Sequence, residues 1–350
     1  MKVLLLGGTG AMGVHLSTLL LERGDDVTIT TRSERVSTSQ VKFITGNAHN
    51  ETFLDKVLIE RWDIIVDFMV YSTELFKLRI QKLLDSCEQY IYLSSARVYA
   101  ESAQPLTENS PRLLDTTLDQ EYLTTDEYAL TKARQENILF NSINKNWTII
   151  RPYITYSEQR LQLGVLEKEA WLYRALKKRP IAFSEDINEK VTTLTYGLDV
   201  AKGIVAIMGQ DGALGEAFHI TTDKSIKWQH VLDIYRGVLK EHLNECPVIN
   251  LQNMRDFTSH HPAVYQIKYD RLFNREFNNS KINQFIDTNS FFDPVNGLEN
   301  CLKTFLNEQH FLSINWAKEA VKDKQQFVFT SLTELQSLKK KAKYIYYRFK

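Results

Sequence analysis

Tyr128 and Lys132 are spaced to move a proton. Tyr128-Ala129-Leu130-Thr131-Lys132 opens a stretch that reads as a helix to about Leu139, and residues four apart on a helix share a face. A phenol with a pKa of about 10 is a poor proton shuttle at neutral pH. A neighbouring ammonium favours the phenolate and lowers that value. A second set of hydroxyls lies upstream in Leu93-Ser94-Ser95-Ala96-Arg97-Val98-Tyr99-Ala100, just past an apolar run from Tyr90 to Ser94 that reads as a strand. Tyr-x-x-x-Lys alone is common, so its meaning depends on what else the chain supplies.

What else it supplies is a glycine-rich turn at the start. Val3 to Leu6 is an unbroken apolar run, as expected of a strand buried on both faces. Gly7-Gly8-Thr9-Gly10-Ala11-Met12-Gly13 follows, and Val14 to Arg23 reads as a helix stopped by Gly24. Strand, glycine turn and helix are the context in which a dinucleotide binds. The backbone must approach a pyrophosphate closely, and that group then meets free N–H groups and the positive end of the helix dipole. Gly8-x-Gly10-x-x-Gly13 fits the general fingerprint, and Gly7-x-x-Gly10-x-x-Gly13 a second spacing. Gly7, Gly10, Ala11, Met12 and Gly13 are the expected cofactor contacts.

The elements that must position these groups follow in regular order. Strands are predicted at Val27–Thr31, Val41–Thr45 and Ile64–Val70, with helices at Glu51–Arg61 and Thr73–Ser86. This β-α alternation predicts an α/β, doubly wound parallel sheet of Rossmann type. Where NAD sites put an acid at the end of the second strand, Thr31 is followed by Arg32-Ser33-Glu34-Arg35. A guanidinium can clamp a 2′-phosphate through two parallel hydrogen bonds, so NADP is the expected cofactor, with NAD as the alternative. Asn47, after the third strand, is expected beside the adenine pocket.

The sequence resembles the extended short-chain dehydrogenase/reductase proteins, which include nucleotide-sugar epimerases, dehydratases and reductases. The glycine turn, Leu93–Tyr99, Tyr128-x-x-x-Lys132 and Ile149-Ile150-Arg151-Pro152 carry the resemblance. Thr195-Tyr196-Gly197-Leu198-Asp199-Val200-Ala201 and Phe277-Asn278-Asn279-Ser280-Lys281-Ile282 are weaker matches in the same order. The resemblance implies that Tyr128 is the general acid/base and that Lys132 holds the nicotinamide ribose while tuning it. It also implies that Ser95 hydrogen-bonds the reacting oxygen, and it allows a homodimer. Departures narrow the reaction. Ala96 and Arg97 stand where 4,6-dehydratases carry Asp and Glu, which argues against dehydration. Tyr153-Ile154 and Ser157 replace an Asn and a Gly that many nucleotide-sugar enzymes place after Arg-Pro.

The expected division is a dinucleotide-binding domain over 1–156, with 191–222 returning to it, and a smaller substrate-binding lobe over 157–190 and 223–330. In the lobe, Arg174, Lys178 and Arg179 are candidates for a substrate diphosphate, set against a solvated helix face. His260-His261 lacks acidic or cysteine neighbours at ligand spacing, so no metal is expected. Trp171 and Trp228 read as core. Residues 331–350 form a basic amphipathic helix or tail. Such a helix can lie on anionic lipid or dock on a partner; the reading preferred from sequence packs its leucines on the lobe and leaves its lysines in water.

Lys plus Arg and Asp plus Glu number 43 each, so no net field draws the chain to nucleic acid or membrane. Cys87, Cys246 and Cys301 lie far apart and offer no zinc or disulfide framework. The opening apolar run is only a strand long and has no basic leader, and no stretch approaches the ~20 apolar residues a membrane span needs. The expectation is a cytoplasmic NADP-dependent nucleotide-sugar epimerase or ketoreductase that binds a small molecule and no nucleic acid. The alternatives are a non-catalytic NADP-binding regulator and a reductase of a non-sugar carbonyl.

Overall fold

A computed structural model describes residues 1–38 and 41–350. The first run becomes strand β1 (Lys2–Leu6), and Val3, Leu4, Leu5 and Leu6 are wholly buried. Side chains alternate across a strand, and here the alternation separates two cores. Val3 and Leu5 join Leu16, Leu20, Val200 and Ile204 on one face. Leu4 and Leu6 join Leu54, Phe76, Ile80, Leu83 and Leu139 on the other. Helix α1 (Gly13–Glu22) therefore covers one face, while α2 (Glu51–Val57), α3 (Thr73–Asp85) and α4 (Tyr128–Phe140) cover the other. Helix α5 (Gly197–Ile207) packs beside α1 on the first face.

Strands β2 (Asp26–Thr31), β3 (Val41–Thr45), β4 (Trp62–Asp67), β5 (Cys87–Leu93), β6 (Trp147–Pro152) and β7 (Glu216–Ile220) complete the sheet. Among the described residues it has seven parallel strands in the order β7-β6-β5-β4-β1-β2-β3. The order in which strands are added reverses at β1, which has β2 on one side and β4 on the other. The glycine turn thus leaves the sheet at the point where open α/β sheets bind ligands.

The described residues fall into two compact units. The sheet-bearing unit comprises 1–155, 193–224 and 275–292. The last of these corrects the expected division, which placed it in the lobe. Its cause is backbone pairing distant in sequence. Leu106 N–H donates to Glu276 O and Asn278 N–H donates to Leu106 O, both at 2.8 Å. The Arg275 guanidinium donates to the carbonyls of Tyr99 at 3.0 Å and Ala100 at 2.9 Å.

The second unit comprises 156–192, 225–274 and 293–350. Trp171 and Trp228 are buried in it, and Trp171 stacks on Tyr235 at 4.5 Å. Its candidate diphosphate cations are otherwise engaged. Arg174 is wholly buried, 2.7 Å from both Glu319 and Asp323, while Arg179 pairs with Glu334 and Lys178 with Glu245. Helix 168–176 thus turns Arg174 inward, against the solvated face its composition suggested. His260 and His261 are held neutral, their pKa values pushed down by burial to about 2 and about 4. His260 Nε2 lies 2.8 Å from Gln252 Oε1. Among the described residues no group of three or more His, Cys, Asp or Glu is placed to hold a metal ion. No helix of the described residues is long and apolar enough to cross a membrane.

Candidate functional site

The glycine turn needs its glycines for reasons visible in the backbone. Gly7 has φ +73°, the left-handed region that side chains disfavour. At Gly13 a Cβ would stand 2.4 Å from Gly8 O, so α1 can enter this close to the turn only without a side chain there. The start of α1 also differs from those of its neighbours. Asn50 Oδ1 accepts from Phe53 N–H at the start of α2, and Ser72 Oγ from Leu75 N–H at the start of α3. Met12 precedes α1 with no side-chain cap, and the first turn carries no acid. Uncapped N–H groups and the helix dipole leave this end positive and suited to an anion.

Beside the turn lies a cavity of about 240 Å³, bordered by Gly7, Thr9, Thr30–Arg32, Gly46–His49 and Met69. Arg32 and Asn47, singled out from sequence, both line it. Gly7 N–H donates to Thr30 Oγ1 at 3.1 Å, and Asn47 Oδ1 accepts from His49 N–H at 3.1 Å. Arg79 on α3, wholly buried, escaped the sequence reading. It donates to Ala48 O at 3.0 Å and His49 O at 3.1 Å, and its guanidinium lies 4.6 Å from the Tyr71 ring. It therefore fixes one wall of the cavity. Burial, then the charges of Arg79 and Arg32, hold the His49 pKa below its ordinary value.

The second cluster stands at the carboxyl end of β5. Ser95 caps the 3₁₀ turn Ala96–Val98, its Oγ accepting from Arg97 N–H at 3.2 Å. Glu127 caps α4 by accepting from Ala129 N–H at 2.7 Å, and it pairs with the Arg97 guanidinium. Lys132 is buried one turn into α4, and its Nζ donates to Leu93 O at 2.6 Å. Tyr128 has two cations near its ring, Arg97 at 5.3 Å and Lys132 at 5.9 Å. Burial drives the Lys132 pKa from 10.5 down to about 8, while Asp67 and Glu136 oppose the shift. Ser95, Tyr128 and Lys132 are thus gathered around one strand end. Arg97 is the member that sequence noted only as the absence of a dehydratase acid.

Beneath this cluster runs a buried polar network. Glu136 on α4 is wholly buried and accepts from Ser94 Oγ at 2.6 Å and from Arg151 Nε at 2.8 Å and Nη2 at 2.9 Å. Arg112 Nη1 donates to it at 3.1 Å. Arg151 also donates to Tyr99 OH at 3.1 Å and Glu108 O at 2.9 Å. Burial pulls the Arg151 pKa down, but Glu136 and Tyr99 outweigh it, so the guanidinium stays charged. The network ties Ser94, the neighbour of Ser95, to α4 and to the loop after the sheet edge.

Residues 3–221 match the NAD dependent epimerase/dehydratase family. The chain is 27% identical over 243 residues to the chloroplast stem-loop binding protein of 41 kDa b from Arabidopsis thaliana, spanning 64% of this chain and 60% of that protein. It is 27% identical over 261 residues to the decarboxylating sterol-4-alpha-carboxylate 3-dehydrogenase of Mus musculus, spanning 68% of each. The fold is shared with UDP-glucuronic acid 4-epimerase from Bacillus cereus, solved with UDP-glucuronic acid and NAD. That likeness has a TM-score of 0.65 and 18% identity over 88% of this chain and 99% of the other. The chain belongs to the NAD dependent epimerase/dehydratase family, of the extended short-chain dehydrogenase/reductase type.

Proposed function

We propose that the protein is an NADP-dependent nucleotide-sugar epimerase or ketoreductase, cytoplasmic and acting through Ser95, Tyr128 and Lys132. The observation that carries this reading is the Tyr128 ring beside two cations at the carboxyl end of β5. The uncapped start of α1 and the cavity lined by Arg32 and Asn47 suit a nucleotide phosphate and its ribose. When bound there, the nicotinamide cofactor supplies a hydride acceptor or donor. Tyr128 exchanges the proton of the substrate hydroxyl, Lys132 and Arg97 favour its phenolate, and Ser95 orients the reacting oxygen by a hydrogen bond.

The test is to mix pure protein with NADPH or NADP and a panel of nucleotide sugars and their keto forms, following absorbance and products together. Product without net change in cofactor means epimerase, and net oxidation means reductase. Turnover of no nucleotide sugar would overturn the substrate assignment. A second reading, an oxidoreductase of a non-sugar carbonyl, is supported by the likeness to the mouse sterol dehydrogenase. The panel therefore includes a sterol ketone.

Two results should follow on this reading. Arg32→Ala should weaken NADPH binding by about tenfold to a hundredfold, as loss of a charged phosphate contact does, and leave NADH nearly unaffected. Equal weakening in titration calorimetry would remove Arg32 from the 2′-phosphate. Turnover should decline as pH rises through about 8, because Lys132 then loses the proton that makes it a cation. A rate still rising at pH 9 to about 10 would place the working ammonium elsewhere.

A further inference from the structure

The sequence of 338–350 contains Lys339, Lys340, Lys341, Lys343, Arg348 and Lys350 and no acid. Leu332, Leu335, Leu338, Ala342 and Ile345 recur at helical spacing and are expected to pack on the lobe. Leu335 is buried beside Trp316 with Leu332 against it, whereas helix Leu338–Phe349 leaves Leu338, Ala342 and Ile345 exposed. The residue it buries is Tyr344, whose OH donates to Asp323 Oδ2 at 2.7 Å and accepts from Thr330 N–H at 2.9 Å. Leu338, Ala342, Ile345 and Phe349 recur at the spacing that puts side chains on one helix face. That stripe points away from Tyr344 into solvent: Leu338 is 83% exposed, Phe349 70% and Ile345 40%, with Tyr346 beside them at 55%.

Cations border the stripe on both sides. Helical geometry puts Lys341 and Arg348 along one edge and Lys339 and Lys343 along the other. On that second edge Lys339, Lys340 and Lys343 line a groove of about 400 Å³ together with Ser313–Trp316. In the preceding segment Phe327 is 92% exposed, with φ 55° in the left-handed region, while Phe329 lies edge-on to Tyr344 at 5.6 Å. The helix rests on its own protein through Tyr344, which leaves the stripe without a partner among the described residues. An apolar stripe bordered by cations on both sides matches a surface that is apolar within and anionic at its boundary.

We infer that helix Leu338–Phe349 docks on an anionic phospholipid bilayer. The stripe from Leu338 to Phe349 seats at the boundary between headgroups and acyl chains, the flanking lysines meet the headgroup phosphates, and the three-lysine groove holds one of them. Leucine and isoleucine contribute nothing to a nucleic-acid surface, whereas a bilayer uses both the aliphatic stripe and the cations. The balanced net charge of the whole chain does not oppose this, because the attraction is local and screened within about 10 Å.

The experiment is co-sedimentation of the full chain with vesicles of phosphatidylcholine alone and of phosphatidylcholine mixed with phosphatidylserine. Pelleting is expected with the mixed vesicles and to be at least about tenfold weaker with the neutral ones, falling further in high salt. The paired substitutions Leu338→Ser with Phe349→Ser, and Lys339→Glu with Lys343→Glu, should each reduce it about tenfold while leaving the circular dichroism and melting temperature of the protein unchanged. Absence of pelleting, equal pelleting with both vesicles, or variants that pellet like the parent would each overturn the inference. So would binding of inorganic phosphate without pelleting, which makes the groove a soluble-anion site, or tighter binding to single-stranded RNA than to the mixed vesicles.

Discussion

Replacing Tyr128 with phenylalanine is expected to lower turnover about a thousandfold and to leave cofactor affinity within about twofold of the parent. The substitution removes one oxygen and keeps the ring, so the contacts of Arg97 and Lys132 with the ring face persist. Tyr128 opens α4 and is only half-buried, and its helix is capped by Glu127. Stability should therefore change little. What disappears is the proton that the proposed mechanism passes to and from the substrate, and the hydroxyl next to Lys132 on the helix, Thr131, is committed to Asp126 O at 3.1 Å. The measurement is kcat on the substrate that the panel identifies, with cofactor titrated separately by fluorescence. Undiminished turnover would take Tyr128 out of the chemistry, and a parallel loss of cofactor affinity would recast it as a binding group. Lys132 makes the arrangement costly to hold. Its pKa is depressed in the fold, so its contribution to stability is present above 10.5 and lost as pH falls through about 8. At neutral pH the buried cation therefore costs stability, on the order of a few kcal/mol.

Local rules carried most of this arrangement and failed where partners came from afar. The glycine turn, the strand pattern and the Tyr-x-x-x-Lys spacing each depend on residues within one element, and they were readable. The expected helix from Glu51 to Arg61 ends at Val57 because its apolar period does not continue: Ile59 is 82% exposed. Strand β4 begins at Trp62 rather than Ile64 because Trp62 N–H finds Ser86 O at 2.9 Å, a partner set by the next loop. Arg79 looks in sequence like an ordinary charged residue, and Arg151 stands out only as part of Arg151-Pro152. Each is buried because carbonyls or a carboxylate from distant segments converge on it. The same holds for 338–349, where the helical period was plain. The side that packs is the one carrying Tyr344, whose ring joins Trp316, Ala320 and Leu335 and whose hydroxyl faces Asp323.

The second large effect is expected from Glu136→Ala, which should cost the sheet-bearing unit about 3–5 kcal/mol. Arg151 is 2% exposed, and two of its bonds go to this carboxylate, so the alanine variant strands a guanidinium that neither water nor another acid reaches. Arg112 and Ser94 lose the same acceptor. Urea unfolding followed by circular dichroism measures the loss as a lower midpoint at unchanged slope. The cavity left by a missing side chain would also destabilise, and a second variant separates the two causes. If the unpaired charge dominates, Arg151→Met added to Glu136→Ala should recover much of the loss, since apolar replacements of a buried ion pair are often nearly neutral. If the cavity dominates, the double variant should be no better than the single one. Because Ser94 precedes Ser95, the single variant should also slow turnover beyond what its folded fraction explains. The double variant should stay slow even where its stability returns, since Ser94 still lacks its acceptor. Full recovery of rate together with stability would show that the network supports the fold alone and leaves the strand end to position itself.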